Sequence, residues 1–442
     1  MRIVMIGAGY VGLVSGACFA ELGHRVTCVD HDARKIALLK RGHVPIFEPD
    51  LERLVERNTE AGRIDFATEP AGSVDQADAV FIAVGTPSRI NDGHTDLTYV
   101  YAAVREIAGL LKDGAVVITK STVPVGTCDE VERQIRDINQ ASHVTVAANP
   151  EFLREGAAIR DFMNPDRIIV GAQDDSARAM LAEIYRPLTA KGVPLMQTGR
   201  RTAELIKYTA NAFLAMKITF INEIADLAER IGADVEDVSR GIGLDQRIGA
   251  QFLRAGPGIG GSCFPKDTRA LVRTAHDYDV PLRIVESVML VNDARKRAMS
   301  RKILAALNGN LRGRTVAVLG LTFKPDTDDI RESPAIPLIT ALKDMGAHVR
   351  AYDPVGMEPA REEITGIELC ADAYACAYGA DALVIVTEWR QFFALDLDRL
   401  KREMARPVIV DLRNIFDPHD MRARGFIYDS VGRPIRTAPD GA

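Results

Sequence analysis

The sequence predicts an α/β protein with two doubly wound parallel-sheet domains joined by a long central helix. Three observations carry this prediction. Short β-branched runs alternate with helical stretches from Met1 to about Gln197. One helical apolar pattern then extends from Thr202 to Ile231. From Arg314 a second strand–turn–helix–strand series repeats the order of the first in degenerate form.

The first series opens with the apolar run Arg2-Ile3-Val4-Met5-Ile6. Gly7-Ala8-Gly9-Tyr10-Val11-Gly12 follows, then a helix-like pattern from Leu13 to Leu22. Arg25 to Val29 reads as a second strand, ending at Asp30. In this context the glycines have separate duties. Gly7 makes the tight turn, Gly9 lets backbone N–H groups meet a pyrophosphate, and Gly12 lets the helix pack against the strand. The helix N-terminus favours the phosphates. The unit therefore reads as a Rossmann-like dinucleotide site, and Asp30, accepting from ribose hydroxyls, favours NAD over NADP. Lys35 either contacts the adenosine ribose or is simply solvated. Arg34 and Lys35 are nearby cations, but no arginine pair is placed to clamp a 2′-phosphate.

Ala79–Val84, Ala115–Thr119, Val144–Ala148 and Arg167–Val170 read as buried parallel strands. Gly85-Thr86-Pro87, Ser121-Thr122-Val123-Pro124 and Asn149-Pro150-Glu151 follow three of them. In an open parallel sheet, ligands sit beyond the carboxyl ends of the strands. Each segment is equally compatible with an ordinary turn.

The central helix shows Leu205, Ile206, Ala210, Phe213, Leu214, Ile218, Ile221 and Ala225 at helical spacing. Lys207 and Asn211 are i and i+4, so they share one face. The lysine either snorkels to the surface or faces a site. Downstream, Gly260-Gly261-Ser262-Cys263-Phe264-Pro265-Lys266-Asp267 sets one cysteine in a glycine-rich loop, with Lys266 and Asp267 close behind. A thiol is a nucleophile only as thiolate, which a nearby cation favours. The alternative is a buried cysteine in a loop. Spacing alone leaves both open.

In the second series Thr315-Val316-Ala317-Val318-Leu319-Gly320 mimics the first strand and turn. A helical stretch from Ala335 to Met345 leads to a strand, His348–Tyr352, that ends at Asp353. Ala382–Val386 and Pro407–Val410 are later strands. Gly320-Leu321-Thr322-Phe323-Lys324 replaces the three-glycine motif, so a half-site for a mononucleotide or sugar nucleotide is expected, with Lys324 as phosphate partner. The tail after Tyr428 is expected to be loose. The expected domains are 1–198, 199–300 and 301–442.

A chain of 442 residues is ample for these domains. A net charge of −6 argues against a general nucleic-acid binder, so an anionic ligand must be met by local arginines and lysines. No apolar run reaches the roughly 18 residues of a membrane span. The N-terminus lacks the charged start and cleavage site of a signal peptide. The six cysteines form no CxxC pair, which suggests neither a disulfide framework nor a metal site and suits the cytoplasm.

Taken together, these motifs resemble the UDP-glucose/GDP-mannose dehydrogenase family, from Gly7 to about Arg413. The matching pieces are Gly7 to Gly12, Gly85-Thr86-Pro87, Lys120 to Gly126, and Asn149 to Gly156. Glu204 through Asn211, Gly260 to Asp267, Phe323-Lys324-Pro325 and Arg331 to Pro334 complete the set. Within the family, Asp245-Gln246-Arg247-Ile248-Gly249 and the full cysteine loop point to UDP-glucose. UDP-N-acetylmannosamine and GDP-mannose are the alternatives.

The resemblance implies NAD-dependent oxidation of the sugar C6 alcohol to a carboxylate, with two NAD+ reduced per sugar. Cys263 would carry a thiohemiacetal and then a thioester. Lys207 would stabilise the developing oxyanion with Asn211 beside it. Asp267 and Glu155 would serve proton transfer and water activation, with Thr122 holding a water. The sugar nucleotide would meet Glu151, Phe152, Leu153, Arg154, Glu155, Lys207 and Asn211. Phe252, Leu253, Arg254, Ala255, Gly256, Gly260 and Lys324 would also hold it, with Arg413 as a further candidate. The cofactor would meet Gly7, Gly9, Val11, Gly12, Asp30, Lys35, Thr86, Thr122, Glu155, Lys266 and Arg331. Arg247 is expected to reach the neighbouring subunit's substrate, which implies a homodimer or larger homo-oligomer; a plain interface salt bridge is the other reading.

A β-hydroxyacid dehydrogenase shares the first domain and a long helix bearing a lysine and an asparagine, but it leaves Cys263 and the third domain unexplained. A non-enzymatic NAD-sensing scaffold would be expected to lack one of Cys263, Lys207 or Asp267, and this chain has all three.

Overall fold

A computed structural model describes residues 1–89, 92–140 and 143–434. The chain forms two compact units: Met1–Ala210 with Arg269–Val280, and Asn211–Thr268 with the chain from Pro281 onward. The helix Arg200–Ile231, roughly 48 Å long at 1.5 Å per residue, contributes to both.

The first unit holds an eight-stranded sheet. Its strands are β1 (Arg2–Ile6), β2 (Arg25–Val29), β3 (Ile64–Ala67), β4 (Ala79–Ile82), β5 (Val116–Thr119), β6 (Thr145–Ala148), β7 (Ile168–Ala172) and β8 (Leu195–Thr198). Their spatial order is β3-β2-β1-β4-β5-β6-β7-β8. β4, β5 and β7 are buried along their whole length, as continuous Val/Ile/Phe runs covered by helices on both faces require. The order reverses between β1 and β4, and this switch point is where a doubly wound sheet opens a crevice.

The second unit holds a six-stranded sheet in the order β11-β10-β9-β12-β13-β14. Its strands are β9 (Thr315–Leu319), β10 (His348–Tyr352), β11 (Glu368–Leu369), β12 (Ala382–Ile385), β13 (Val408–Asp411) and β14 (Ile427–Ser430). This is the order of the first six strands of the other sheet, so the degenerate repeat in the sequence is a repeat of topology.

Two expectations are corrected. Arg167–Val170 was expected to be a parallel strand. β7 does form there, but it runs antiparallel to β6, pairing Ala147 with Ala172 and Ala148 with Gly171. After β6 the chain turns through the short helix Ala158–Met163 and re-enters the sheet at the end it left. A buried apolar run carries no information about strand direction. β8 then pairs parallel to β7. The tail after Tyr428 is packed rather than loose as far as Gly432. β14 continues to Ser430, Val431 is buried, Asn414 Nδ2 donates to the Val431 carbonyl at 2.9 Å, and Gly432 N donates to Glu229 at 2.7 Å. Residues 435–442 lie outside the described residues. Among the described residues no helix is long and apolar enough to cross a membrane.

Candidate functional site

In the first unit, the β1 turn is built as the glycines require. Gly7 has φ +101°, and a Cβ there would stand 2.7 Å from the Ala83 carbonyl oxygen at the end of β4. A Cβ on Gly12 would lie 1.8 Å from the Gly7 carbonyl oxygen, so only glycine lets the Tyr10–Glu21 helix start this close to the turn. Gly9 differs: nothing lies within 4 Å of its Cβ position, so its outer side is open to a ligand. Asp30 follows β2 and accepts from Ala8 N at 2.9 Å and Asp32 N at 3.0 Å. Lys35 is not simply solvated but pairs with Asp30 at 2.9 Å. Burial pushes the Asp30 carboxyl up, but Lys35 and the Asp32 and Ala8 amides outweigh it and hold it below the usual carboxylate value. An open glycine beside a helix N-terminus and an ionised carboxylate at the next strand end fit the pyrophosphate and ribose of NAD.

The equivalent acid of the second unit does not fit one. Asp353 is fully buried and accepts from Leu321 N, Thr322 N, Thr322 Oγ1, Trp389 Nε1, Val355 N and Gly356 N. Its oxygens are consumed by its own chain, which agrees with the missing glycine motif.

The loops after β5 and β6 carry Thr122 and the segment Glu151–Glu155. Glu151 is buried and forms an ion pair with the buried Lys207 at 3.1 Å. Glu151 also accepts from Leu153 N, which curls the loop back on itself. The Phe152 ring lies under two cations, with Lys207 Nζ at 5.2 Å and the Arg167 guanidinium at 4.2 Å from its centre. Lys207 is thus a buried, paired lysine rather than one that snorkels. Arg154 is exposed and turns to Asp161. Thr86, Thr122, Leu153 and Glu155 are half-buried.

Three residues to which the sequence reading gave no role hold these loops. Buried Glu48 accepts from Gly156 N at 2.6 Å, Ala158 N at 2.7 Å and the Tyr10 hydroxyl, fastening the segment after Glu155. Buried Glu204 accepts from Gly126 N at 2.7 Å and Cys128 N at 2.8 Å, fastening the Thr122 loop to the long helix. Burial raises the Glu204 carboxyl above its usual value despite those two amides. Buried Lys120 donates to Asn149 Oδ1 at 3.0 Å and to the Tyr185 hydroxyl at 3.2 Å. Lys120 and Glu204 each open one of the family-matching segments, whereas Glu48 lies in none of them.

In the second unit, Cys263 directly precedes the helix Phe264–Asp277, and its carbonyl accepts from Asp267 N at 2.8 Å. Its half-buried thiol lies 3.6 Å from Ser262 Oγ. Amide groups at a helix start favour an anion there. Asp267 is buried; Oδ1 takes Lys266 Nζ at 2.6 Å and Oδ2 takes Asn211 Nδ2 at 2.6 Å. The loop itself is clamped. A Cβ on Gly260 would meet the Glu332 carbonyl oxygen at 2.7 Å, and one on Gly261 (φ +84°) would meet the Phe323 ring at 2.7 Å. Lys324 Nζ lies 5.3 Å from the centre of that same ring.

The segment Phe252–Gly256 meets Arg413. Phe252 has φ +64° and packs on Phe264 at 6.0 Å. Leu253, Ala255 and Gly256 are buried, and Arg254 donates to the Arg413 carbonyl at 2.9 Å. The Arg413 guanidinium is held by the Val386 and Phe323 carbonyls and by Glu388. Arg247 and Arg331 are exposed, and each turns to an acid two residues before it, Asp245 and Asp329.

Comparison with known proteins matches three models of one family in sequence. These are the NAD binding domain of the UDP-glucose/GDP-mannose dehydrogenase family at residues 1–189, its central domain at 201–294 and its UDP binding domain at 317–418. The chain is 62% identical to the UDP-glucose 6-dehydrogenase of Rhizobium meliloti, over 98% of this chain and all of that one. It is 45% identical to UDP-glucose 6-dehydrogenase TuaD of Bacillus subtilis, over 98% of this chain and 93% of that one. Among solved structures, a UDP-glucose dehydrogenase from Pyrobaculum islandicum superposes with a TM-score of 0.90 at 39% identity, covering 98% of this chain and 97% of that one. The chain is an NAD-dependent oxidoreductase and belongs to the UDP-glucose/GDP-mannose dehydrogenase family.

Proposed function

We propose that the chain oxidises UDP-glucose to UDP-glucuronate, with two NADH formed per sugar and Cys263 as covalent nucleophile. The observation that carries this reading is the built surroundings of Cys263. It heads the helix that carries an aspartate held by Lys266 and Asn211, and it follows Gly260 and Gly261, where no side chain fits. The names of the relatives support the sugar nucleotide.

Bound NAD+ supplies the hydride acceptor for both oxidations. The chain's own residues do the rest. Lys207, ionically paired with Glu151, offers N–H donors to the oxygen that gains negative charge. Once the aldehyde exists, the Cys263 thiolate adds to its carbonyl carbon, and the oxygen takes a proton to give a thiohemiacetal. Loss of hydride and that proton leaves a thioester. Water then attacks the thioester carbon; the C–S bond breaks, the carboxylate leaves and the thiol is restored. Asp267 and Glu155 serve as proton acceptors, with Thr122 holding the water. Keeping the aldehyde on sulfur prevents its escape.

The reading includes a cytoplasmic homodimer or larger homo-oligomer, with Arg247 reaching the partner's substrate, and domains at 1–198, 199–300 and 301–442. The three family segments support that division. The test is NADH production from UDP-glucose, UDP-N-acetylglucosamine, UDP-N-acetylmannosamine and GDP-mannose, counting NADH per sugar. UDP-glucose should be turned over best, with two NADH each. Preference for another sugar nucleotide would move the reading to that substrate.

A further inference from the structure

Lys120 stands among the most buried charged groups of the first unit, at 4% exposure. It follows β5 directly, and its backbone N–H donates to Ile82 at the end of β4. Its ammonium reaches across to the end of β6 and donates to Asn149 Oδ1 at 3.0 Å and the Tyr185 hydroxyl at 3.2 Å. The Tyr185 hydroxyl also donates to Asn149 Oδ1, at 2.5 Å. Asn149 Nδ2 donates to the Ile169 carbonyl on β7 at 2.8 Å. The rings of Phe162 and Tyr185 lie 5.7 and 5.9 Å from Nζ. The ammonium thus links the end of β5 to the end of β6, and Asn149 extends the link to β7. The charged or titratable groups that act on it are Glu151, Lys207 and Cys18.

Its position in the chain gives the cluster a use. Lys120 is two residues before Thr122, and Asn149 is two residues before Glu151. Pro150 stands between Asn149 and Glu151 and fixes its own φ, which removes one soft dihedral from the link between them. Glu151 is the carboxylate that pairs with Lys207. Stability does not account for the lysine. A buried ammonium whose direct hydrogen-bond partners are all neutral loses its hydration for modest return, and an apolar residue of similar volume often does as well or better.

We infer that Lys120 is a positioning residue: through Asn149 it sets the loop that presents Glu151 to Lys207, and so fixes the oxyanion donor. This rests on the role proposed above for Lys207. Lys120 itself touches no reacting atom in this account.

The test is Lys120→Met, which keeps the volume and removes the charge and donors, in the full-length protein. Three quantities are measured: the thermal midpoint, kcat and KM on the sugar nucleotide that the wild type turns over, and a crystal structure of the variant. The expected result is a midpoint unchanged or raised, kcat lowered at least tenfold, KM within about twofold, and Lys207 Nζ displaced from Glu151 beyond hydrogen-bond reach. A near-normal kcat, a change confined to KM, or an intact Lys207–Glu151 pair would overturn the inference. If Lys120→Met does not fold, Tyr185→Phe removes one donor from the same Asn149 oxygen. It should lower kcat about threefold at unchanged KM, and a wild-type kcat would decide against the inference. If the wild type turns over no sugar nucleotide, the proposed function fails on its own, while the Lys207–Glu151 separation in the variant still decides the role of Lys120.

Discussion

Asn211 donates its side-chain amide to Asp267 at 2.6 Å, and the carboxylate's other oxygen takes Lys266 at 2.6 Å. Asp267 is 1% exposed, so its two oxygens are directed by these partners rather than by water. Asn211→Ala should leave one oxygen of a buried carboxylate unsatisfied. The expected loss is about 1.5–3 kcal/mol of stability, together with a lower kcat. Denaturant titration and steady-state kinetics check this; a variant equal to wild type in both would separate Asn211 from the site.

The cysteine loop allows no side chain at Gly261. Alanine there must adopt φ +84° and meet the Phe323 ring at 2.7 Å. Left-handed strain and overpacking together predict a destabilisation of about 2–4 kcal/mol. Adding Phe323→Ala should recover the packing part and leave the strain part. The double variant's unfolding free energy measures the division. No recovery at all would mean that the ring is not the obstruction.

Asp30 holds Lys35 and the Ala8 and Asp32 amides, and its ionised form should also accept from the cofactor ribose. Asp30→Ala should raise the KM for NAD+ about 10- to 100-fold, the value of hydrogen bonds to a charged group, and narrow the preference over NADP+. KM for the sugar nucleotide should barely move. Equal catalytic efficiency with both cofactors in the wild type would contradict the role given to Asp30.

Lys120 gives a pH dependence of definite sign. Burial pushes its ammonium down to about 8; the Glu151 carboxylate opposes that and Lys207 adds to it. The unfolded chain keeps the proton up to the ordinary lysine value near 10.4. Between those two values the unfolded state binds more protons, so stability contributed at this site rises with pH. At neutral pH the buried charge is a burden; above about pH 10 it is relieved. The unfolding free energy of wild type minus that of Lys120→Met should therefore increase from pH 7 to pH 10.5, by on the order of 3 kcal/mol. A flat or falling difference would show that the ammonium is not disfavoured by burial.

The features legible in the sequence were local ones. The β1 turn, its three glycines and Asp30 span about thirty consecutive residues, and each has a stereochemical reason visible in the chain. The Lys207 and Asn211 spacing and the Gly260–Asp267 loop are local as well. What escaped depends on distant partners. Glu48 caps amides more than a hundred residues away, Glu204 reaches back to Gly126, and Lys120 reaches forward to Tyr185. No period or propensity encodes those pairings. The direction of β7 escaped for a related reason, because orientation is set by where the connection re-enters. The packed tail escaped because its glycine and arginine suggest a loose end, whereas Gly432 N donates to Glu229 and the Gly432 carbonyl accepts from Val235 N.

The covalent role proposed for Cys263 is tested most directly by the NADH released per UDP-glucose consumed by wild type and by Cys263→Ala. Loss of a small half-buried thiol should leave the fold and the binding of both ligands intact. The account predicts two NADH per sugar for the wild type and no UDP-glucuronate from the variant, with at most a trace of first-step NADH. Two NADH per sugar at a wild-type rate from Cys263→Ala would contradict it.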